Sequence, residues 1–179
     1  MTAGARTTFR TFAYGSNMLS TRLKERCPSA LPIGAAQLPG HELRWHKRSM
    51  DGSGKCDVVP VNVGHAVFGV VYEVDATERA ALDQAEGLGH GYDQKDVTVI
   101  LNGDAVTVSI YVVTSTNPAL KPYTWYKALV VAGAKEHGLP SPYIANLQAV
   151  EASEDPDHAR HDSNMRIATA AGRMGGAQA

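Results

Sequence analysis

The sequence predicts an α+β fold, with hairpin-joined strands outnumbering crossovers and a mixed sheet of about six strands that can close into a barrel. Three observations carry this expectation. In Ala66–Val74, Val67, Gly69, Val71 and Glu73 alternate against Phe68, Val70, Tyr72 and Val74, so both faces are largely apolar and the strand is buried. Asn102-Gly103 joins the apolar runs Asp93–Leu101 and Ala105–Val113, the strongest short hairpin signal in the chain. Tyr123–His137 reads as the last large helix and stops at Gly138-Leu139-Pro140.

The remaining elements follow in order. Phe9–Tyr14 is an apolar strand that stops at Gly15, and a short Met18–Arg26 helix begins almost at once. Leu19, Leu23 and Cys27 share one face of that helix, and Pro28 ends it. Ile33–His46 reads as a bent strand or a strand pair, and Arg48–Lys55 as a mobile Met-Asp-Gly-Ser-Gly loop. Asp57–Val63 is expected to pair with Ala66–Val74. A helix then starts at Asp75, with Asp75 and Glu78 as a capping box and Gly87 as the stop. Ser141-Pro142 opens a last short helix to about Val150. Residues 9–150 form the expected single domain, and 151–179, acidic and then small-residue-rich, read as a disordered tail.

With 179 residues the chain fits one domain with a core of its own. A net charge of −1 without a lysine or arginine block argues against nucleic acid or anionic membrane as the main partner. Residues 1–8 hold no hydrophobic signal core and no apolar run is long enough to span a bilayer, so the expected location is cytoplasmic. Cys27 and Cys56 read as reduced thiols, Cys27 as a core residue and Cys56, beside Lys55, as a candidate nucleophile. Only His158 and His161 have ligand-like spacing, in the expected tail, and no metal is predicted.

Two features carry chemistry. A strand–glycine–helix junction at Tyr14-Gly15-Ser16-Asn17-Met18 exposes backbone N–H groups suited to an anion; Gly15 can take a positive φ, and Ser16 and Asn17 are good N-caps. An ordinary capped turn is the plain alternative. The second is Glu86, the last residue before the stop at Gly87. The helix C-terminus is negative, and Leu82 one turn back puts the carboxylate at the edge of the apolar stripe. Dipole and burial both disfavour its charged form, as suits a general acid or base; the plain alternative is a solvated surface glutamate. Gly87-Leu88-Gly89-His90-Gly91-Tyr92 then lets main chain approach a ligand and brings a phenol beside the carboxylate, unless it is a mere connector.

These motifs resemble those of the gamma-glutamylcyclotransferase-like family. Phe12-Ala13-Tyr14-Gly15-Ser16-Asn17 matches the family's opening motif, and Leu82-Asp83-Gln84-Ala85-Glu86-Gly87 looks like the segment bearing its catalytic glutamate. Tyr126-Lys127 and Gly133–Pro140 are similar to the C-terminal helix and exit turn of the animal enzymes. The resemblance spans Phe9–Val150 and implies a small mixed β-barrel wrapped by helices, with no cofactor. It implies that backbone amides from Tyr14 to Met18 grip a γ-glutamyl group and that Glu86 shuttles the proton; beside it, Tyr92 and Tyr126 read from their own positions as phenols lining the pocket. Two departures stand out. The Glu86–Tyr92 stretch is shorter than in the animal enzymes, and Arg48–Lys55 has no clear match, so leaving-group specificity does not carry over.

The expected reaction is attack of an L-γ-glutamyl substrate's α-amino group on its own side-chain carbonyl, giving 5-oxoproline and a free amine. Backbone N–H groups at Gly15–Asn17 serve either the α-carboxylate or the oxyanion, and Trp125 reads mainly as core. A non-catalytic module for an amino-acid-like ligand, and hydrolysis or acyl transfer on the same scaffold, stay open. An exposed apolar face on Tyr123–His137 would permit a homodimer.

Overall fold

The computed structural model describes residues 6–175. Along the chain run β1 (Thr8–Ala13), a 3-10 turn (Ser16–Met18), α1 (Ser20–Lys24), β2 (Leu31–Pro39), β3 (His41–Arg48), β4 (Gly54–Pro60) and β5 (Ala66–Asp75). A second 3-10 turn (Ala76–Glu78) leads to α2 (Arg79–Glu86), β6 (Tyr92–Leu101), β7 (Asp104–Val113), α3 (Thr124–Glu136), α4 (Ser141–Ala149) and α5 (His158–Gly175).

The doubly apolar run behaves as expected: β5 pairs antiparallel with both β1 and β2, and Val67, Val70, Val71 and Tyr72 are fully buried. The order β1-β5-β2-β6-β7 closes into a barrel of five strands where β1 meets β7 in parallel at Thr11 and Ser109. Asn102 (φ 53°) and Gly103 (φ 89°) make the two-residue turn of the β6–β7 hairpin.

Strand partnership departs from expectation. Ile33–His46 is a strand pair broken at Gly40, with β2 in the barrel and β3 outside it. The Asp57–Val63 segment does not pair with β5. Its strand, β4, ends at Pro60 and pairs with β3 in a separate two-stranded ribbon. Proline lacks the N–H that would extend the ladder, and β5 already has a partner on each edge. Residues around Arg48–Lys55 are therefore the tip and root of a β-ribbon. The Asp75 side chain caps the second 3-10 turn through Thr77 N–H at 2.9 Å, but Glu78 does not complete a capping box. Its carboxylate accepts instead from Ser29, from the hydroxyl at 2.6 Å and from the N–H.

The largest correction concerns the C-terminus. Residues 151–175 are ordered, and α5 packs along α3. Their acidic, small-residue composition has little to bury alone, but α3 offers an apolar face that Met165, Ile167 and Ala168 cover. The apolar face of Tyr123–His137 that would have permitted a dimer is thus covered within the chain. Residues 176–179 of the expected tail, and 1–5 of the segment read for a signal core, lie outside the described residues. Among the described residues no helix is long and apolar enough to cross a membrane.

Asp155 anchors this segment. Its side chain is shielded from solvent and accepts from Trp125 Nε1 at 2.7 Å and from Arg160 Nε and Nη2 at 2.7 and 2.6 Å. Hydrogen bonds from Arg160 hold its carboxyl well below the ordinary carboxylate range. The folded pKa is depressed, so this stabilisation is present above the unfolded value near ~3.9 and is lost as pH falls through the lower folded value. Asp155→Ala is expected to cost about 1–3 kcal/mol at neutral pH, seen as a lower urea midpoint, because Trp125 loses its buried acceptor.

Candidate active site

The junction after β1 turns sharply into the 3-10 turn, where Met18 N–H bonds to Gly15 O at 3.1 Å and Leu19 N–H to Ser16 O at 3.2 Å. The amides of Gly15, Ser16 and Asn17 precede the first intrahelical bond and have no intrahelical partner. Gly15 has φ −114°, so a positive φ is not the reason for glycine here. Space is the reason: a Cβ at this position would lie 2.9 Å from Tyr126 Oη and 3.3 Å from Cys56 Cβ.

Neither Ser16 nor Asn17 caps the turn through its side chain. Asn17 instead reaches across to the acid, its Nδ2 donating to Glu86 Oε1. Met18 faces away from the site. It is fully buried against α3, its amide is used by Gly15 and its carbonyl accepts from Tyr72 Oη at 2.7 Å. Of the amides expected to grip a ligand, that of Met18 is therefore already taken within the turn.

Glu86 is the last residue of α2, and the chain leaves through Gly87 at φ +73°. Leu88 N–H bonds to Asp83 O and Gly87 N–H to Gln84 O, a pairing that a left-handed glycine permits. Tyr111 Oη donates to Asp83 Oδ1, and Tyr111 O accepts from Tyr14 Oη at 2.7 Å, which ties α2 to the barrel one turn before the acid. Glycines 87 and 89 give turns rather than close approach, since a Cβ on either would meet nothing within 4 Å.

The Glu86 side chain is 14% exposed. Arg26 Nη1 contacts Oε1 at 3.0 Å and Asn17 Oδ1 at 2.8 Å, closing a triangle of Asn17, Arg26 and Glu86. Both partners hold Oε1, and Oε2 carries no partner among the described residues. Arg26 supplies what the sequence argument lacked, an opposite charge beside the carboxylate. At nine residues beyond Asn17 on an exposed-looking helix end, it gave no pattern to find.

These groups line one cavity of about 200 Å³. That is smaller than the ~300–1,000 Å³ typical of drug-sized ligands, so it suits a small polar group. Tyr14, Gly15, Ser16, Asn17, Glu86, Tyr92 and Tyr126 all line it, as does Trp125, and of the expected site residues Met18 alone does not. Burial pushes the phenols of Tyr14, Tyr92 and Tyr126 well up, so they stay protonated as neutral hydrogen-bonding groups. Tyr126 Oη accepts from Cys56 N–H at 3.2 Å, and Tyr92 Oη donates to Cys56 O at 3.2 Å. The phenol of Tyr92 is thus turned onto the ribbon. Cys56 is fully buried and burial pushes its thiol up to about 12, which argues against a thiolate nucleophile at neutral pH.

Arg22, Arg26, Lys47 and Lys55 also line the cavity, against the one carboxylate of Glu86. A small site with this excess of positive charge favours an anionic ligand.

The AIG2-like family matches residues 66–147. Gamma-glutamylcyclotransferase of Mus musculus is 33% identical over 160 residues, covering 82% of this chain and 81% of the mouse protein. That of Homo sapiens is 34% identical over 152 residues, covering 82% and 80%. A solved structure of a gamma-glutamyl cyclotransferase superposes with a TM-score of 0.82 at 28% identity, covering 89% of this chain and 99% of that one. The structure of uncharacterized protein loc79017 from Homo sapiens gives 0.79 at 29% identity, covering 89% and 98%.

Proposed function

The chain belongs to the gamma-glutamylcyclotransferase family and is an enzyme of that type, and we propose that it cleaves L-γ-glutamyl amides by ring closure to 5-oxoproline. The observation that carries this reading is the one-sided clamp on Glu86: Asn17 and Arg26 hold Oε1 while Oε2 has no partner among the described residues. An oriented carboxylate with one oxygen free, lining a cavity of cations and neutral phenols, is suited to accept a proton from an ammonium.

The substrate's α-ammonium cannot attack until it loses a proton. Glu86 Oε2 takes it, and the freed amine nitrogen adds to the γ-carbonyl carbon. The carbonyl electron pair moves to oxygen, where the amides of Gly15–Asn17 and the nearby cations offset the developing charge. Collapse of this intermediate breaks the bond to the departing nitrogen, which receives the proton from Glu86; the ring nitrogen then gives up its second proton, which Glu86 can relay in turn, so that the amine leaves as an ammonium. The products are 5-oxoproline and a free amine. Proton transfer of this kind contributes about 10²–10⁴ in rate, and holding amine and carbonyl in a ring-closing pose can add more.

The test is a panel of γ-glutamyl amides, with products identified by mass spectrometry. 5-Oxoproline appearing with equimolar free amine is the expected result. Free glutamate, or a new γ-glutamyl amide, would instead mean hydrolysis or acyl transfer and overturn this reading. Binding without turnover would make the chain a binding module.

A further inference from the structure

Four polar side chains that do not line the cavity meet behind the turn that carries the site: Ser20, Tyr72, Glu136 and His137. Glu136 ends α3 and His137 is its C-cap residue. The Glu136 carboxylate accepts the Ser20 N–H at 2.8 Å, at the start of α1. Three oxygens surround His137 Nε2: Tyr72 Oη at 3.0 Å, Ser20 Oγ at 3.2 Å and Glu136 Oε2 at 3.3 Å.

Counting hydrogens fixes the roles. Tyr72 is fully buried, its Oη lies 2.7 Å from Met18 O, and a carbonyl can only accept. Burial pushes this phenol up, so it keeps its one proton and gives it to Met18. Tyr72 Oη then accepts from both of its other neighbours, Ser20 Oγ at 2.9 Å and His137 Nε2. Nε2 must therefore carry a hydrogen, since a bare nitrogen there would face the Tyr72 lone pair and the Glu136 carboxylate. A relay of hydrogen bonds thus runs from the end of α3, through β5, to the main chain of the 3-10 turn. Met18 N–H closes that turn on Gly15 O at 3.1 Å, so Met18 and Gly15 are displaced together. Between them lie the amides of the site and Asn17, whose side chain holds Glu86. Removing polar groups from water costs free energy that apolar packing would avoid, but a satisfied network holds its members in one arrangement.

We propose that His137 is a positioning residue for the reaction: as a fixed Nε2–H donor it orients Tyr72, and through Tyr72 it holds the turn that presents the Gly15–Asn17 amides. This rests on the cyclotransferase reading and adds to it a residue outside the cavity.

The experiment uses whichever γ-glutamyl amide of the panel the wild-type protein turns over fastest. It measures kcat/KM for 5-oxoproline release in the wild type, His137→Gln, His137→Leu, Tyr72→Phe and the double variant His137→Leu/Tyr72→Phe, with folding checked by circular dichroism. Glutamine places an amide N–H donor as many bonds from Cα as Nε2, so His137→Gln should stay within about twofold of wild type. His137→Leu and Tyr72→Phe should each lose about tenfold, as a small misplacement of binding groups does. Because the two residues act in series, the double variant should lose little more than the worse single one. Wild-type kcat/KM in folded His137→Leu would overturn the assignment. So would a loss in His137→Gln as large as that in His137→Leu, or losses that multiply in the double variant. Should the leucine variants fail to fold, wild-type kcat/KM in Tyr72→Phe, or a loss of about tenfold in His137→Gln, would overturn it instead. If the wild-type protein releases 5-oxoproline from no member of the panel, the cyclotransferase reading falls, and this assignment with it.

Discussion

Glu86→Gln is expected to lower 5-oxoproline formation by about 10²–10⁴-fold with the fold retained. Glutamine keeps the shape of the side chain and an Oε1 that can still accept from Asn17 Nδ2 and Arg26 Nη1. Arg26 also keeps Asn17 Oδ1 as an acceptor at 2.8 Å, so the guanidinium is not left without a partner. What is lost is the oxygen that can take and return a proton. The loss should therefore fall on kcat rather than KM. Thermal unfolding with and without a γ-glutamyl compound checks that the folded site still binds. Near-wild-type turnover would remove the mechanism.

Gly133→Ala should be the most damaging small substitution in a helix. Propensity alone would favour alanine by about 1 kcal/mol. Here a Cβ would lie 2.5 Å from Leu19 N and 2.7 Å from Met18 C, main-chain atoms of the turn that carries the site. Backbone cannot swing aside as a side-chain end can, so α3 and the turn must separate. Overpacking of this kind costs about 1–3 kcal/mol, enough to reverse the sign. Urea unfolding should show a lower midpoint. Displacement of Tyr14–Asn17 should also raise KM for γ-glutamyl substrates. A stabilised variant with wild-type KM would contradict the packing described at this contact.

Much of the molecule was legible locally. The Asn102-Gly103 turn, the two-sided apolar β5, and the stripe of Leu19, Leu23 and Cys27, each essentially buried, all follow from neighbouring residues and a fixed period. Glu86 drew notice for the same reason, as an acid at a helix end that should repel it. Other features had no local trace. The choice of β3 rather than β5 as the partner of β4 depended on β5 having both edges taken. The order in α5 depended on a face of α3 and on the acceptor that Asp155 gives Trp125. Composition judges a segment by what it can bury alone, and this one is buried by another.

What the sequence by itself determined was therefore most of the elements before α5, the family, and several of the residues that line the cavity. Periodicity, caps and turns act over a few residues and are written into the local order of side chains. Only the tertiary structure decided who meets whom: Arg26 with Glu86, Lys47 facing Lys55, and Met18 turned out of the site into α3. Those pairings depend on barrel closure and on shared space between distant segments. Coulombic partnership and steric exclusion act through space, so no spacing along the chain encodes them.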